Sequence, residues 1–427
     1  MASKQFILIL KTNILKLKNS FLISIFVTAF IDMLGVGIII PVIPAIFYNQ
    51  GDVHFANLKN PDVIRWTFCL LIASYSFMMF FGAPILGALS DRYGRKKIIQ
   101  FALVGTAIGY SLFGISLAYN SLVLIFLSRL IPGFFGGSLS VLFSSISDVS
   151  KPEDKPKNFA LIGVAFALGF ILGPFLGGVL SSKEIYEGFT LSTPFIFATL
   201  LSIANFIFVH FKFEETLKAS KASKVSLFTG FQNIKKAFSL PNLRILFVIS
   251  FLNTLGFAFF TQFFSVYMYN KFHLKEVEVG YIFAWVGLWL IFTQGFLVRK
   301  ITTKWSPQQI VQITMLLMGS FIFMLMFPNH IYFILLLNVC IAISQGLNSP
   351  NLLTLVSKQA TPNQQGETLG INQSMQSLAQ FIPPILVGFF GENLNVFPFL
   401  IGGLSIVLAW VILVFLLIPL MKKQSGF

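Results

Sequence analysis

Runs of about 20 apolar residues recur along the whole chain, and each is long enough to cross the hydrocarbon core of a bilayer as a helix. In that core every backbone donor and acceptor must be satisfied inside the segment, so such a chain folds as a helix bundle. About twelve runs are placed, near 20–47, 66–86, 98–119, 121–147, 158–180, 194–211, 245–269, 279–298, 308–327, 331–356, 368–390 and 397–420. Only 11% of the residues are charged, against about 25% in a soluble chain. The fold class expected is an all-α membrane protein with twelve transmembrane helices.

A formal charge of +15 would suggest nucleic acid in a soluble protein. Here membrane topology explains it. With the N-terminus inside, Lys59, Arg65, Lys183, Lys271 and Lys275 fall on the outer side and Arg129 within a span. The remaining Lys and Arg fall on the cytoplasmic side, a bias of roughly five to one. Both termini are expected in the cytoplasm of a multi-pass protein of the cell (inner) membrane. No nucleic-acid partner is expected. Residues 1–19 read as a cytoplasmic segment with a short interfacial helix, and 421–427 as a cytoplasmic tail. Residues 212–244 read as a linker, in which Leu227, Phe228, Phe231, Ile234 and Phe238 share one helical face opposite Lys235 and Lys236.

That linker divides the chain into a six-span half at 20–211 and another at 245–420. The halves resemble each other. Asp32 precedes Tyr48 by the interval at which Asn253 precedes Tyr269. Arg129 precedes Gly137 as Asn338 precedes Gly346, and Pro174 with Gly178 is spaced like Pro384 with Gly388. Parallel repeats of this kind are an arrangement that secondary transporters use. Both intramembrane charges of the first half become Asn in the second.

Asp32 and Arg129 are the ionisable residues well inside a span. A charge at the bilayer centre is costly, so each should face a cavity or a partner. One reading is a proton- or substrate-responsive pair lining a pathway; the other is a static ion pair locking spans one and four together. The four histidines sit in loops or at span ends. Cys69 and Cys340 lie in apolar runs and supply neither a disulfide framework nor metal-ligand spacing. No metal or cofactor is expected. A membrane enzyme would need clustered His, Asp or Cys at span ends, and no such cluster is present.

Two further stretches stand out. In GFILGPFLGG, Gly169, Gly173 and Gly177 share a helical face that admits a neighbouring backbone, with Pro174 bending the span and Gly178 closing the motif. In GALSDRYGRKK, between spans two and three, Asp91, Arg92, Arg95, Lys96 and Lys97 are gathered between and after Gly87 and Gly94. A positive-inside anchor accounts for Arg92, Lys96 and Lys97, but not for Asp91 or the glycines.

These two stretches and LSRLIPGFFGG in span four resemble three signature motifs of the major facilitator superfamily. The span-five motif is typical of its drug:proton antiporters, and IDMLGVGIIIPVIP looks like the first span of the tetracycline-exporter group. The resemblance covers essentially the whole chain and implies the major facilitator fold. It implies that the Gly87–Lys97 loop is a cytoplasmic latch, with Asp91 at the amino end of span eleven near Gly366 to Leu369. Arg95 would pair with Asp148, and Gly87 and Gly94 would permit close approach and a tight turn. The group carries an acid in span three, where this chain has Gly109.

The function expected is secondary active export of a small amphipathic molecule in exchange for protons, by alternating access; the alternative is a proton-coupled importer of a nutrient or siderophore. Asp32 and Arg129 would carry proton coupling. The substrate cavity would lie between the halves, with Asn253, Gln262, Gln294, Asn338, Asn372 and Gln376 contributed by the second half. The partners expected are the substrate, protons and the bilayer, and the chain is expected to be a monomer.

Overall fold

The computed structural model describes residues 20–48, 60–150, 155–217, 241–359, 365–389 and 396–420. Two expectations, the interfacial helix in 1–19 and the amphipathic linker around 227–238, lie outside the described residues.

Long helices follow one another in the order that the apolar runs dictate. Spans one to three are Ser20–Tyr48, Pro61–Tyr93 and Arg95–Ala118. Span four runs Leu122–Gly136 and Leu139–Val149, span five Lys155–Ser181 and span six Thr193–Lys212. Span seven is Pro241–Phe272, and span eight begins at Glu276–Phe292 and widens into a π turn at Thr293–Leu297. Spans nine to eleven are Pro307–Met324, Ile331–Gln359 and Gln365–Phe389, and span twelve starts with Phe397–Ile412. By length and apolarity 11 of these can cross a membrane. Gln365–Phe389, at 25 residues, fills the place of span eleven but carries Asn372, Gln373, Gln376 and Gln380. The chain is a multi-pass membrane protein.

Starts are set locally. Asn60 accepts from the Asp62 amide at 2.8 Å, with Pro61 opening span two. Ser306 and Gln309 form a reciprocal capping box at span nine.

Span four differs from the unbroken helix expected over 121–147. At Gly137 and Ser138 the backbone tightens, with Gly137 N–H donating to Phe134 O at 3.2 Å and Ser138 N–H to Phe135 O at 2.9 Å. The tightened stretch lies against span two, where a Cβ on Gly137 would overlap the Gly82–Ala83 backbone. Span two begins a few residues before the expected 66, so Arg65 lies in its opening turns, and its Nε donates to Gly388 O of span eleven at 3.2 Å.

The bundle has two ends. Spans two and three meet at Gly94 at one end, and span seven finishes with Tyr269 near the other. One apolar core joins the halves toward the Tyr269 end, bringing Ile38, Val42, Ile46 and Phe68 together with Phe263, Phe264 and Phe283. The Phe68 and Phe263 rings meet edge to face at 6.1 Å. A second core, around Leu86, Ile99, Leu142, Ile146 and Phe213, belongs to the first half alone and lies toward the Gly94 end.

Other cross-half contacts are made at the Tyr269 end, and spans two and eleven also meet deeper, where the Phe77 and Phe381 rings lie 5.4 Å apart. Tyr269 Oη donates to Pro41 O at 2.8 Å. The Trp66 and Phe389 rings meet at 4.8 Å, and Lys275 pairs with Glu184.

Candidate functional site

Asp32 lines a narrow cavity inside the first half, together with Met33, Tyr75, Thr106, Tyr110, Pro132 and Gly136 among others. The cavity measures about 20 Å³, room for about one water molecule. Its lining comes from spans one to five, so this acid faces a pocket within one half rather than a chamber between the two.

Arg129 is 6% exposed, and its guanidinium stacks over the Tyr75 ring at 4.7 Å from the centroid. Its Nε and Nη1 have no hydrogen-bond partner among the described residues. No ion pair joins it to Asp32 among the described residues. Tyr75 and Tyr110 lie within electrostatic reach of both charges. The static-lock reading, which needs a closed Asp32–Arg129 pair, does not describe this arrangement.

Small residues make room for these side chains. A Cβ on Gly133 would sit 2.8 Å from Tyr75 Cα, and one on Gly136 would sit 2.6 Å from Tyr75 Oη. Gly35, three residues after Asp32, receives the Tyr110 hydroxyl. A side chain at Gly109 would run into the Pro132 ring, which explains why span three carries no acid there.

Span five lies along span one. A Cβ on Gly169 would be 2.6 Å from Met33 Cβ, and one on Gly173 would be 2.7 Å from Gly37 Cα; Gly177 meets the Ile38 carbonyl in the same way. Pro174 Cδ would lie 2.9 Å from a Cβ on Gly37, and Gly178 crosses to the other half, where a Cβ would be 2.7 Å from Glu276 O. The glycine motif therefore packs on the helix that carries Asp32 and also touches span eight.

At the Gly94 end, Gly94 has φ +103°, a conformation that strains any residue with a Cβ. Arg95 is held on three sides: its Nη2 is 2.7 Å from Asp91 Oδ1, its Nε donates to Asp148 Oδ2 at 3.0 Å, and its Nη1 donates to Ser90 Oγ at 2.5 Å. Thr216 Oγ1 also donates to Asp148, at 3.3 Å. Arg92 lies over the Tyr93 ring at 5.2 Å. Asp91 is partly exposed; of the span-eleven stretch expected beside it, the side chains of 366, 367 and 369 lie outside the described residues. Gly87 is a correction. A Cβ there would be 3.5 Å from its nearest neighbour, Ser140 Oγ, so close approach does not require glycine at that place.

Glu215 was not read from the sequence. Its carboxylate accepts from the Arg95 amide at 2.9 Å and the Lys96 amide at 3.2 Å, and from Thr216 and Leu217, each at 3.0 Å. It caps the positive N-terminus of span three. The signal was the acid pair in FEETL, just past the end of span six.

The second-half amides are mostly buried. Asn348 donates to Asn253 at 2.8 Å, and Gln262 Nε2 to Gln380 O at 3.0 Å. Asn338 is buried, and both its amide atoms lack a partner among the described residues, as do Gln262 Oε1, Gln345 Oε1, Asn348 Oδ1 and Asn372 Oδ1. Gln294 stands in the π turn of span eight, and Gln376 is half-buried. Asn348 and Gln345 were missed, although both interrupt the apolar run of span ten.

A two-half helix bundle with an acid lining an internal cavity and a buried cation near mid-membrane has the form of a membrane transporter. The chain matches the Major Facilitator Superfamily over residues 25–384 and again over 246–427, and it belongs to that family. It is 28% identical over 380 residues to the class H tetracycline resistance protein of Pasteurella multocida, covering 87% of this chain and 89% of that one. It is 25% identical over 402 residues to multidrug resistance protein 1 of Bacillus subtilis, covering 92% and 97%. Among solved structures, the human organic anion transporter MFSD10 (TETRAN) superposes with a TM-score of 0.71 at 23% identity, over 92% of this chain and 99% of that one. The family transports; it does not catalyse.

Proposed function

We propose that this protein exports a small amphipathic molecule in exchange for protons, by alternating access of a site between its halves. The observation that carries the reading is Asp32: a carboxyl group in a membrane-embedded cavity, unpaired among the described residues, with Tyr75 lining the same cavity and carrying the Arg129 guanidinium on its ring. Burial favours a protonated carboxyl group and a neighbouring guanidinium favours the ionised one. An acid that meets these two environments in turn takes up and releases a proton. Arg129 keeps its own charge at physiological pH, so the switch falls to Asp32.

With the termini cytoplasmic, the Tyr269 end faces outward and the Gly94 loop inward. The contacts named above then support a state closed to the outside. On this reading the Asp91–Arg95–Asp148 network, with Gly87, Arg92 and Gly94, acts when the inner side closes. Gly169, Gly173, Pro174, Gly177 and Gly178 carry span one with span five. The amides of Asn253, Gln262, Gln294, Asn338, Asn372 and Gln376 offer neutral hydrogen-bonding groups to substrate. The resistance proteins among the relatives favour export of drug-like molecules, and the inner membrane is the place for it.

Transport into inverted vesicles, with a compound panel and with or without a pH gradient, tests the reading. Export predicts gradient-dependent accumulation that Asp32→Asn uncouples. Accumulation only in right-side-out vesicles with an inward proton gradient would make the protein an importer.

A further inference from the structure

Arg129 is buried against Tyr75, whose side chain lines the cavity that also holds Asp32, and it makes no ion pair with that acid among the described residues. In a medium of low dielectric a guanidinium and an ionised carboxylate attract strongly, so a cation resting elsewhere calls for a holder. The geometry supplies one. The guanidinium is 4.7 Å from the Tyr75 ring centroid, within the range at which a ring face attracts a cation. Nε and Nη1 have no competing hydrogen bond among the described residues.

The ring is itself held. On span four, one turn beyond Arg129, a Cβ on Gly133 would meet the Tyr75 backbone, and two turns beyond it one on Gly136 would meet the Tyr75 hydroxyl. The glycines of LSRLIPGFFGG thus seat the Tyr75 backbone and the hydroxyl end of its ring, in the same motif as the arginine.

We propose that Tyr75 is a positioning residue for the intramembrane charges: its ring holds the Arg129 guanidinium while Asp32 is protonated, and yields it to the carboxylate when the proton leaves. The proton passes between the Asp32 carboxyl group and water, and no other bond is made or broken. This rests on the reading of Asp32 as the proton-carrying group. Tyr75 from span two and Tyr110 from span three line the cavity with Asp32, and Arg129 from span four stacks on Tyr75. Span five presents Phe166 to the cavity, and span six presents the neutral Asn205 to Thr28.

The test needs no substrate. The full-length protein, purified in detergent, is titrated by infrared spectroscopy, following the protonated-carboxyl band that Asp32→Asn removes. In Tyr75→Leu the guanidinium loses its holder and moves to the carboxylate, so the midpoint should fall by about one unit or more. Tyr75→Phe keeps the ring face and should titrate like wild type. Gly136→Ala should shift the midpoint in the same direction by pushing on Oη, and less so in a Tyr75→Phe background, where that atom is gone. This non-additivity keeps the test usable if Tyr75→Leu fails to fold.

A wild-type midpoint in both Tyr75→Leu and Gly136→Ala, with the band intact, would overturn the positioning role alone. A spectrum that Asp32→Asn leaves unchanged across the pH range would instead remove Asp32 as the proton carrier, and the proposal with it.

Discussion

Tyr269 Oη reaches across the two halves to the carbonyl of Pro41, 2.8 Å away. Its ring is almost fully buried, so the bond works out of water. Tyr269→Phe leaves the ring packing and strands one acceptor, at a cost of about 1 kcal/mol. The closed state should lose roughly fivefold in population against the state open at that end. Distance measurements between spin labels on spans one and seven check this, and an unchanged distribution would show that ring packing alone closes the end.

The Lys275–Glu184 pair also links the halves at that end, but on the surface. Its hydrogen bond to Glu184 raises the pKa of Lys275 above its ordinary value. A raised lysine pKa contributes below its unfolded value, near 10.4, and the contribution is lost as pH rises through the folded value. Between pH 5 and 9, roughly, closure should not vary through Lys275. Salt should weaken the pair modestly. Lys275→Gln should remove the salt dependence and leave the pH profile in that window unchanged, as read by the same spin-label distances.

The turn between spans two and three rests on Gly94 and Glu215. Gly94→Ala must adopt a left-handed conformation and displace the Glu215 carboxylate, for a loss of about 1–3 kcal/mol. Glu215→Ala removes the anionic cap of span three and should cost about 1 kcal/mol; Glu215→Gln should recover part of it. Thermal unfolding in detergent reports both. A Glu215→Ala protein melting with wild type would mean that solvent caps the helix equally well.

Arg95 is nearly buried between two carboxylates and a serine. Arg95→Ala should reduce transport and destabilise the protein, because Asp91 and Asp148 are left facing each other. Arg95→Lys keeps the charge but cannot serve three acceptors from a planar fork, so it should fall between. Asp91→Asn should slow transport while membrane insertion stays normal. Wild-type rates for Asp91→Asn and Arg95→Ala together would reduce the loop to a topological anchor.

Gly173 and Gly177 meet the backbone of span one directly. Gly173→Leu or Gly177→Leu should force spans one and five apart and abolish exchange, or leave a leak, with the protein still inserted. Vesicle transport and proton leak are the measurements. Full activity in Gly177→Leu would contradict the close packing at Ile38.

Hydropathy alone marked the helices, because the bilayer demands unbroken apolar length. Asp32 and Arg129 were legible for the same reason: a charge inside such a run is conspicuous. Their relationship was not. Whether a buried cation meets a carboxylate or a ring depends on depth and rotamer, and Tyr75 and Tyr110 look like ordinary aromatics in a chain with 52 phenylalanines. Gly87 read as a close-packing glycine from its place in a motif, yet in the fold a Cβ there would meet Ser140 Oγ at an ordinary contact distance of 3.5 Å. The break in span four lies against Gly82 and Ala83 of span two, a contact that no local pattern announces. Glu215 was hidden by its setting, since acids in polar loops rarely cap a helix that is distant in sequence.

Span five offers span one a face almost without side chains. Interdigitated helices resist shear because each knob must climb out of its hole. Here the backbone of span one is itself the knob: at Gly169, Gly173 and Gly177 it lies where a Cβ would be no more than 2.7 Å away. Sliding by one residue would set a side chain against it, so the glycines fix the register of the two helices. The helix bearing Asp32 is keyed to span five, and the two travel as one.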